Sequence, residues 1–326
     1  NVQLPVSNGY ISRVDNFGEV ENRGVDFSIE SKILEKSDFI WNLNTNFGLN
    51  KNKLNKLNSN LDFQLGPFIG FSQAYPILFK VGQPLGIYWG AQTNGIYASW
   101  DEAIDSGIAG AAPGEIKYVN NYVDLDDSGQ PLAIQEINFD DYVKIGDPNP
   151  DFTYSISNNF SYKNWDATLL FTGQKGGDLF WVDSWQLSGL QKTTNVLATS
   201  YENSWIAPIY FQDGNYLYDP NIGNTSNALH PAAIVETGSR AISSDRNIFD
   251  GSFLRLKNIN LGYNFELSGN KNLRVYLSAQ NLFVWTDYPG YDPEVRTYTK
   301  NPQKRGVDFG TYPGTKSYLI GLKFNY

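Results

Sequence analysis

Apolar and polar residues alternate with period two along seven segments of this chain. In Gly24–Glu30, Val25, Phe27 and Ile29 fall on one side and Asp26, Ser28 and Glu30 on the other. Residues 38–50 set Phe39, Trp41, Leu43, Phe47 and Leu49 opposite Asn42, Asn44, Asn46, Gly48 and Asn50. Residues 152–162 run to a turn at Lys163-Asn164 and return as 165–172. Residues 253–265 oppose Ile259, Leu261, Tyr263 and Phe265 to Asn258, Asn260, Gly262 and Asn264. After the polar stretch 266–272, residues 273–283 oppose Leu273, Val275, Leu277 and Ala279 to Arg274, Tyr276, Ser278 and Gln280. The last segment, TKSYLIGLKFNY at 315–326, places Tyr318, Ile320, Leu322, Phe324 and Tyr326 at every second position. Successive side chains of a strand point to opposite faces, so each segment predicts a strand with one apolar and one polar side. A face of Asn and Gly is too polar for a core and is expected to meet water.

The connections alternate in length. Residues 35–37, 163–164 and 266–272 are short and polar, whereas 51–84, 98–150, 176–250 and 285–314 are long and rich in Gly, Pro and aromatics. That alternation is the pattern of outer-membrane barrels, with short periplasmic turns and longer extracellular loops. With a periplasmic C-terminus all three short turns share one side, provided zero or two strands lie between 51 and 150. Residues 85–97 are a candidate for one of these. Trp41, Trp165, Tyr263, Phe265, Phe324 and Tyr326 lie near strand ends, where barrels carry aromatic girdles. The expected fold is all-β: a transmembrane antiparallel β-barrel segment. Seven clear strands leave an open edge, which is costly in hydrocarbon because no water satisfies its N–H and C=O groups. Either further strands are hidden here or another segment completes the barrel. The alternative is a soluble carbohydrate-binding β-sandwich, against which the several loops longer than ~12–15 residues weigh.

Composition is compatible with the barrel. No apolar run approaches the ~20 residues of a membrane helix, but barrel strands alternate and escape that criterion. Tyr, Phe and Trp number 21, 20 and 8 in 326 residues, a strand-rich bias. A net charge of −9 without a basic block argues against nucleic acid as a partner. There is no Cys, hence no disulfide or thiol chemistry. The first residues, NVQLPVSNGYISRV, lack the charged and apolar regions of a signal peptide, as in a chain that starts within a longer protein.

Specific stretches then carry a resemblance. VENRGVDFSIE (20–30), VGQPLGIYWGAQTNGIY (81–97), DPNPDFTYSISNNFSYKNWDATLLFTGQKGGDLF (147–180), SDRNIFDGSFLRLKN (244–258), LRVYLSAQNLFVWTDYPGYDPEV (273–295) and GVDFGTYPGTKSYLIGLKFNY (306–326) resemble, in order, the C-terminal end of the SusC/RagA class of TonB-dependent outer-membrane transporters of Bacteroidetes. The resemblance implies a 22-stranded plugged barrel in the cell outer membrane. It further implies import of large nutrients, oligosaccharides or peptides, driven by TonB acting through the plug, under a SusD-like surface lipoprotein. The remaining N-terminal barrel and plug segment, and outer-membrane lipid, would be the other partners. On this expectation residues 1–326 are the C-terminal barrel portion, without plug domain or TonB box. The row Tyr318, Ile320, Leu322, Phe324 and Tyr326 would be the assembly signal.

Few residues suggest chemistry. Asp124, Asp126 and Ser128, followed by Gly129, open like a calcium loop. The twelfth position is Gln135, with Glu136 one residue late, so the loop departs from an EF-hand. The resemblance gives some support to Ca or Mg in an extracellular loop here; no cofactor is required otherwise. His230 is the single histidine and is expected to be a solvated loop residue. Asp140-Asp141 are neighbours pointing opposite ways, so paired-carboxylate hydrolysis is not expected and the protein is read as no enzyme. Aromatics in the long connections, Tyr88, Trp89, Trp181, Trp185 and Tyr210 among them, are candidates for ligand or lid contact, since aromatic faces suit sugar rings and anchor interfaces. DYPGYDPEV (287–295) reads as a rigid loop base. The functional expectation is nutrient import; its rival is the same barrel as a structural or docking component of a larger envelope complex.

Overall fold

The computed structural model describes residues 2–3, 12–13, 18–57, 61–69, 75–188, 195–219, 222–233, 242–269, 271–298 and 301–325. Tyr326, the last residue of the expected assembly signal, lies outside them.

The alternating segments form one antiparallel sheet. Its strands are β1 (Gly18–Lys36), β2 (Phe39–Leu57), β3 (Pro150–Tyr162), β4 (Trp165–Gly176), β5 (Phe253–Leu267), β6 (Lys271–Trp285) and β7 (Ser317–Asn325). They pair strictly in sequence order, so β1 and β7 are the two edges. Strand β2 pairs directly with β3, with Phe39 opposite Tyr162 and Gly48 opposite Thr153. Hence no barrel strand intervenes between 51 and 150, and residues 85–97 do not supply one. They form two short strands, Ile87–Gly90 and Thr93–Ile96, in separate small sheets. Each 19-residue strand β1 and β2 is about twice the ~9–11 residues that cross a bilayer.

Register makes the sheet two-faced. Leu261 lies opposite Leu277, Tyr263 opposite Val275 and Phe265 opposite Leu273. On the other face Asn260 meets Ser278, and Asn42 and Asn44 meet Asn159 and Ser157. A bulge between Leu256 and Asn258, with Asn281 at φ 53°, then brings Arg255 to the polar face beside Thr172. The apolar face is bare among the described residues: Val25 is 65% exposed and Leu322 71%. No second sheet of described residues stacks on it, which rules out the sandwich. No described helix is long and apolar enough to cross a membrane.

The short turns, at Ser37-Asp38, Lys163-Asn164 and after Leu267, all fall at one end. At the other end the long connections build a cap with its own core, where loops without regular structure were expected. It contains a four-stranded sheet of Phe63–Leu65, Ile77–Lys80, Ile87–Gly90 and Val143–Gly146, and a three-stranded one of Leu179–Trp181, Ile248–Phe249 and Val307–Asp308. Leu54, Ile77, Phe79, Tyr88, Phe180, Val182 and Val307 are fully buried together. Leu54 belongs to the polar-face row of β2, after Asn50 and Asn52, so the cap packs on that face. The backbone follows: Gly82 N–H donates to Leu54 O at 2.8 Å and Leu54 N–H to Gln83 O at 2.9 Å. The compact apolar packing of the described residues is therefore in the connections and the end of β2 that they cover.

Candidate functional site

The polar face is a hydrogen-bonded surface of amides and hydroxyls. Ser28 Oγ donates to Asn46 Oδ1 at 2.8 Å, and Asn46 Nδ2 donates to Ser155 Oγ at 3.1 Å, which ties β1, β2 and β3 together. Farther along, Thr168 Oγ1 donates to Asn159 Oδ1 at 3.0 Å. Towards the short-turn end Arg274 grips Asp166 with two nitrogens, Nε at 3.1 Å, and Asn264 donates to the same carboxylate at 3.4 Å. Gly321 sits under the ring of Tyr276; a Cβ there would lie 2.2 Å from the ring, so only glycine admits the tyrosine. Amides and hydroxyls, many of them bonded to one another, make this face a wettable wall.

The candidate aromatics divide by location. Tyr88 is fully buried: it donates to Arg305 O at 2.9 Å and packs 5.7 Å from the Phe180 ring. Burial pushes its phenol far up, so it stays neutral. Trp181 is buried between Phe249 and Tyr288. These two hold the cap together, which corrects the expectation that they contact a ligand or lid. Trp185 is half-buried edge-on to Phe180, and Trp89 is half-buried with Lys80 Nζ over its ring at 5.1 Å. Tyr210 alone stands out in solvent, on the hairpin Ile209–Gln212 and Asn215–Tyr218. Its two-residue turn, Asp213-Gly214, has positive φ at both positions, 51° and 84°, the combination a tight hairpin requires. Phe211, Tyr216 and Tyr218 are exposed beside it.

Asp126 Oδ1 accepts from Ser128 N, Ser128 Oγ and Gln130 N at 2.7 to 2.9 Å, donors that hold its carboxyl below the usual range. Asp124 accepts from Glu136 N at 3.1 Å and Asn138 Nδ2 at 3.2 Å. Gln135 caps Asp124 N–H through Oε1 at 2.6 Å. These oxygens point at N–H and O–H donors, and among the described residues no group of three or more His, Cys, Asp and Glu is placed for a metal. As arranged, the residues do not fit a cation; the motif builds a turn. His230 is half-buried, where a solvated residue was expected, and burial, then repulsion from Arg246, lowers its pKa. Asp141 is buried, and accepts from Asn121, Tyr122 and Asn138 backbone N–H at 2.9 to 3.0 Å, so it holds a loop.

Sequence reasoning missed the clasps between connection 286–314 and the wall. Arg255 pairs with Asp292 at 2.5 Å, both buried, and with Glu294 at 2.8 Å; within the connection itself Tyr288 Oη donates to Asp308 Oδ2 at 2.5 Å. The rigid base DYPGYDPEV was the available signal: Tyr288 and Asp292 are its anchors. The bulge that turns Arg255 inward left no mark in the alternation.

With this geometry in place, comparison with known proteins is informative. The chain is 33% identical to TonB-dependent receptor P3 of Formosa agariphila, over 99% of this chain and 30% of that protein. It is 25% identical to TonB-dependent receptor SusC of Bacteroides thetaiotaomicron, over 100% of this chain and 28% of that protein. Over its whole length the chain is similar to TonB-dependent receptors of the SusC type. A solved structure of the RagAB peptide transporter superimposes with a TM-score of 0.72 at 20% identity, covering 99% of this chain and 31% of that one. This SusC-like chain thus spans about 30% of the length of the curated relatives it matches. No family model matches it. The likeness to RagAB shows the fold: the seven strands are a barrel wall, and the bare apolar face is the outside of a barrel.

Proposed function

We propose that this chain is the C-terminal wall and cap of a 22-stranded, TonB-dependent importer in the cell outer membrane, taking up large polar nutrients, oligosaccharide or peptide. The observation that carries the reading is the two-faced sheet: amides and hydroxyls on one side, a bare apolar surface on the other, in a chain homologous to SusC throughout its length. The outward rows, including Leu273, Val275 and Leu277, meet lipid, and Asn42, Asn44, Asn46, Asn258 and Asn260 face the water-filled side. Edges β1 and β7 pair with the N-terminal barrel segment, whose plug takes up the pull of TonB. The apolar row Tyr318, Ile320, Leu322 and Phe324 serves as the assembly signal. Tyr210, Phe211, Tyr216 and Tyr218 offer an exposed aromatic arm to a SusD-like lipoprotein lid.

The test is made in the producing bacterium with the whole gene. Deleting it should abolish TonB-dependent uptake of one class of oligosaccharide or peptide, and affinity purification of the tagged protein should bring down a SusD-like lipoprotein. Unchanged uptake of every nutrient tested, with secretion or surface-anchoring proteins as the co-purifying set, would overturn the reading in favour of a docking role.

A further inference from the structure

A cavity of about 340 Å³ lies where residues 295–298 and 301–307 fold down over the capped ends of β1 and β2. Asn22 and Asn50 form its floor, on the same polar face as Asn44 and Asn46; Asn301, Gln303, Lys304 and Arg305 form its roof. Among the described residues no Asp or Glu lines it, although the chain as a whole carries a net charge of −9. Two cations facing amides, with no carboxylate, is thus a local inversion of the protein's charge.

The two cations are held but not neutralised. Lys304 Nζ rests 4.4 Å from the centre of the Tyr298 ring, and partial burial lowers its pKa. Arg305 Nη1 donates to Asn149 Oδ1 at 3.4 Å, a neutral partner. Asn149 is itself fixed, since it accepts from Asn52 Nδ2 at 2.8 Å and donates to Asp147 at 2.7 Å. Asp147 lies behind it and is paired with Lys144 at 2.9 Å. A positive charge resting on a ring and on amides keeps its attraction for an anion, and a guanidinium presents a fork that matches carboxylate or sulfate oxygens. The surrounding amides each offer donors and an acceptor, which is how vicinal hydroxyls are gripped. Tyr298 and Pro302 add apolar surface beside the amides, of the kind that stacks on the face of a sugar ring.

We propose that this cavity is a subsite for an acidic sugar unit, one bearing a carboxylate or sulfate, within an imported oligosaccharide. The inference rests on the import reading and narrows its substrate class. Lys304 and Arg305 take the anionic group, and Asn22, Asn50, Asn301 and Gln303 take the hydroxyls. The site lies at the cap end of the water-facing wall, where a solute passing the cap first meets the amide surface. Its charge selects acidic chains against neutral ones before transport begins, since attraction in a partly closed cleft exceeds that at an open surface.

The test uses the whole transporter, purified with its partners in detergent. Saturation-transfer NMR measures binding of glucuronate and glucose 6-sulfate against glucose, and of an acidic tripeptide, to the native protein and to the double variant Lys304→Gln, Arg305→Gln. Heat-modifiable migration checks that the variant barrel is folded, and Lys304→Arg checks that charge is what matters. The expected result is binding of at least one acidic sugar about tenfold tighter than glucose, lost in the double variant and retained in Lys304→Arg. Equal binding of glucose and both acidic sugars, unchanged binding in the double variant, or tighter binding of the peptide would each overturn it. TonB-dependent uptake by the same variant separates the two levels: a transporter that imports neutral oligosaccharides normally and shows no acidic preference refutes the subsite and leaves import standing, whereas no uptake of any nutrient by the native protein refutes import itself.

Discussion

Arg255 and Asp292 meet at 2.5 Å inside the protein, one on the wall strand β5 and the other on the connection after β6. Both are almost inaccessible to solvent, so the pair is a desolvated clasp between wall and cap. Removing one member of a buried pair leaves the other uncompensated, at a cost of about 3–5 kcal/mol. Arg255→Ala should therefore release connection 286–314, seen as new protease cleavage within it, while the barrel still resists heat in detergent. The double change Arg255→Met, Asp292→Leu removes both charges and should restore much of the protection.

The two faces of the wall should respond oppositely to charge. Val275 and Leu277 lie on the outer row, opposite Tyr263 and Leu261, and an Arg facing mid-bilayer lipid costs about 2–4 kcal/mol. Changing both to Arg should prevent assembly, giving no heat-modifiable band in outer-membrane fractions. Asn44→Asp, on the water-facing side, should fold like the parent. Equal folding of both variants would sink the assignment of faces.

Phe180 joins the two halves of the cap core, between Tyr88 and Trp185. Phe180→Ala opens a hole in a close-packed site and costs about 3–5 kcal/mol. Because the wall strands are held by their own ladder of hydrogen bonds and touch this core only at the end of β2, the expected result is a loosened cap on an intact barrel. Protease mapping should show cuts in 61–145 with no change in barrel migration.

His230 gives a clean pH probe, being the single histidine. Its folded pKa lies below the ordinary 6.5, chiefly from burial. As pH falls the unfolded segment takes up its proton first, so the stability linked to neutral His230 is full above 6.5 and is lost as pH drops towards the folded value. The backbone N–H groups of Trp205, Leu229 and His230 are tied into this segment by bonds of 2.9 to 3.0 Å. Their hydrogen-exchange protection, corrected for intrinsic rates, should fall between pH 7.5 and 5.5. His230→Gln should remove that dependence.

The strands were legible because alternation is a local signal that burial of one face enforces at every residue. All seven expected segments are the seven strands, and Lys163-Asn164 is the turn it was read to be. The boundaries ran long: β1 and β2 extend to Gly18 and Leu57, past the alternating stretch through Lys51 and Lys53 to Leu54 and Leu57, which the cap buries. The cap was not legible. Its strands are two to four residues long, too short to show a period, and they pair across large separations, as Phe180 does with Val307. The same limit applied to single residues. Tyr88 and Tyr210 read alike in sequence as loop aromatics, yet one is core and the other solvent-exposed.

What the sequence determined by itself is which side chains share a face and where the chain turns, because both depend on a residue and its near neighbours. It determined, too, that one face wants water. Only the tertiary structure decided which connections fold onto that face, which carboxylate meets Arg255, and that the acidic loop closes on its own N–H groups. Those outcomes depend on long-range closure and on competition among many possible partners, and no local pattern encodes them.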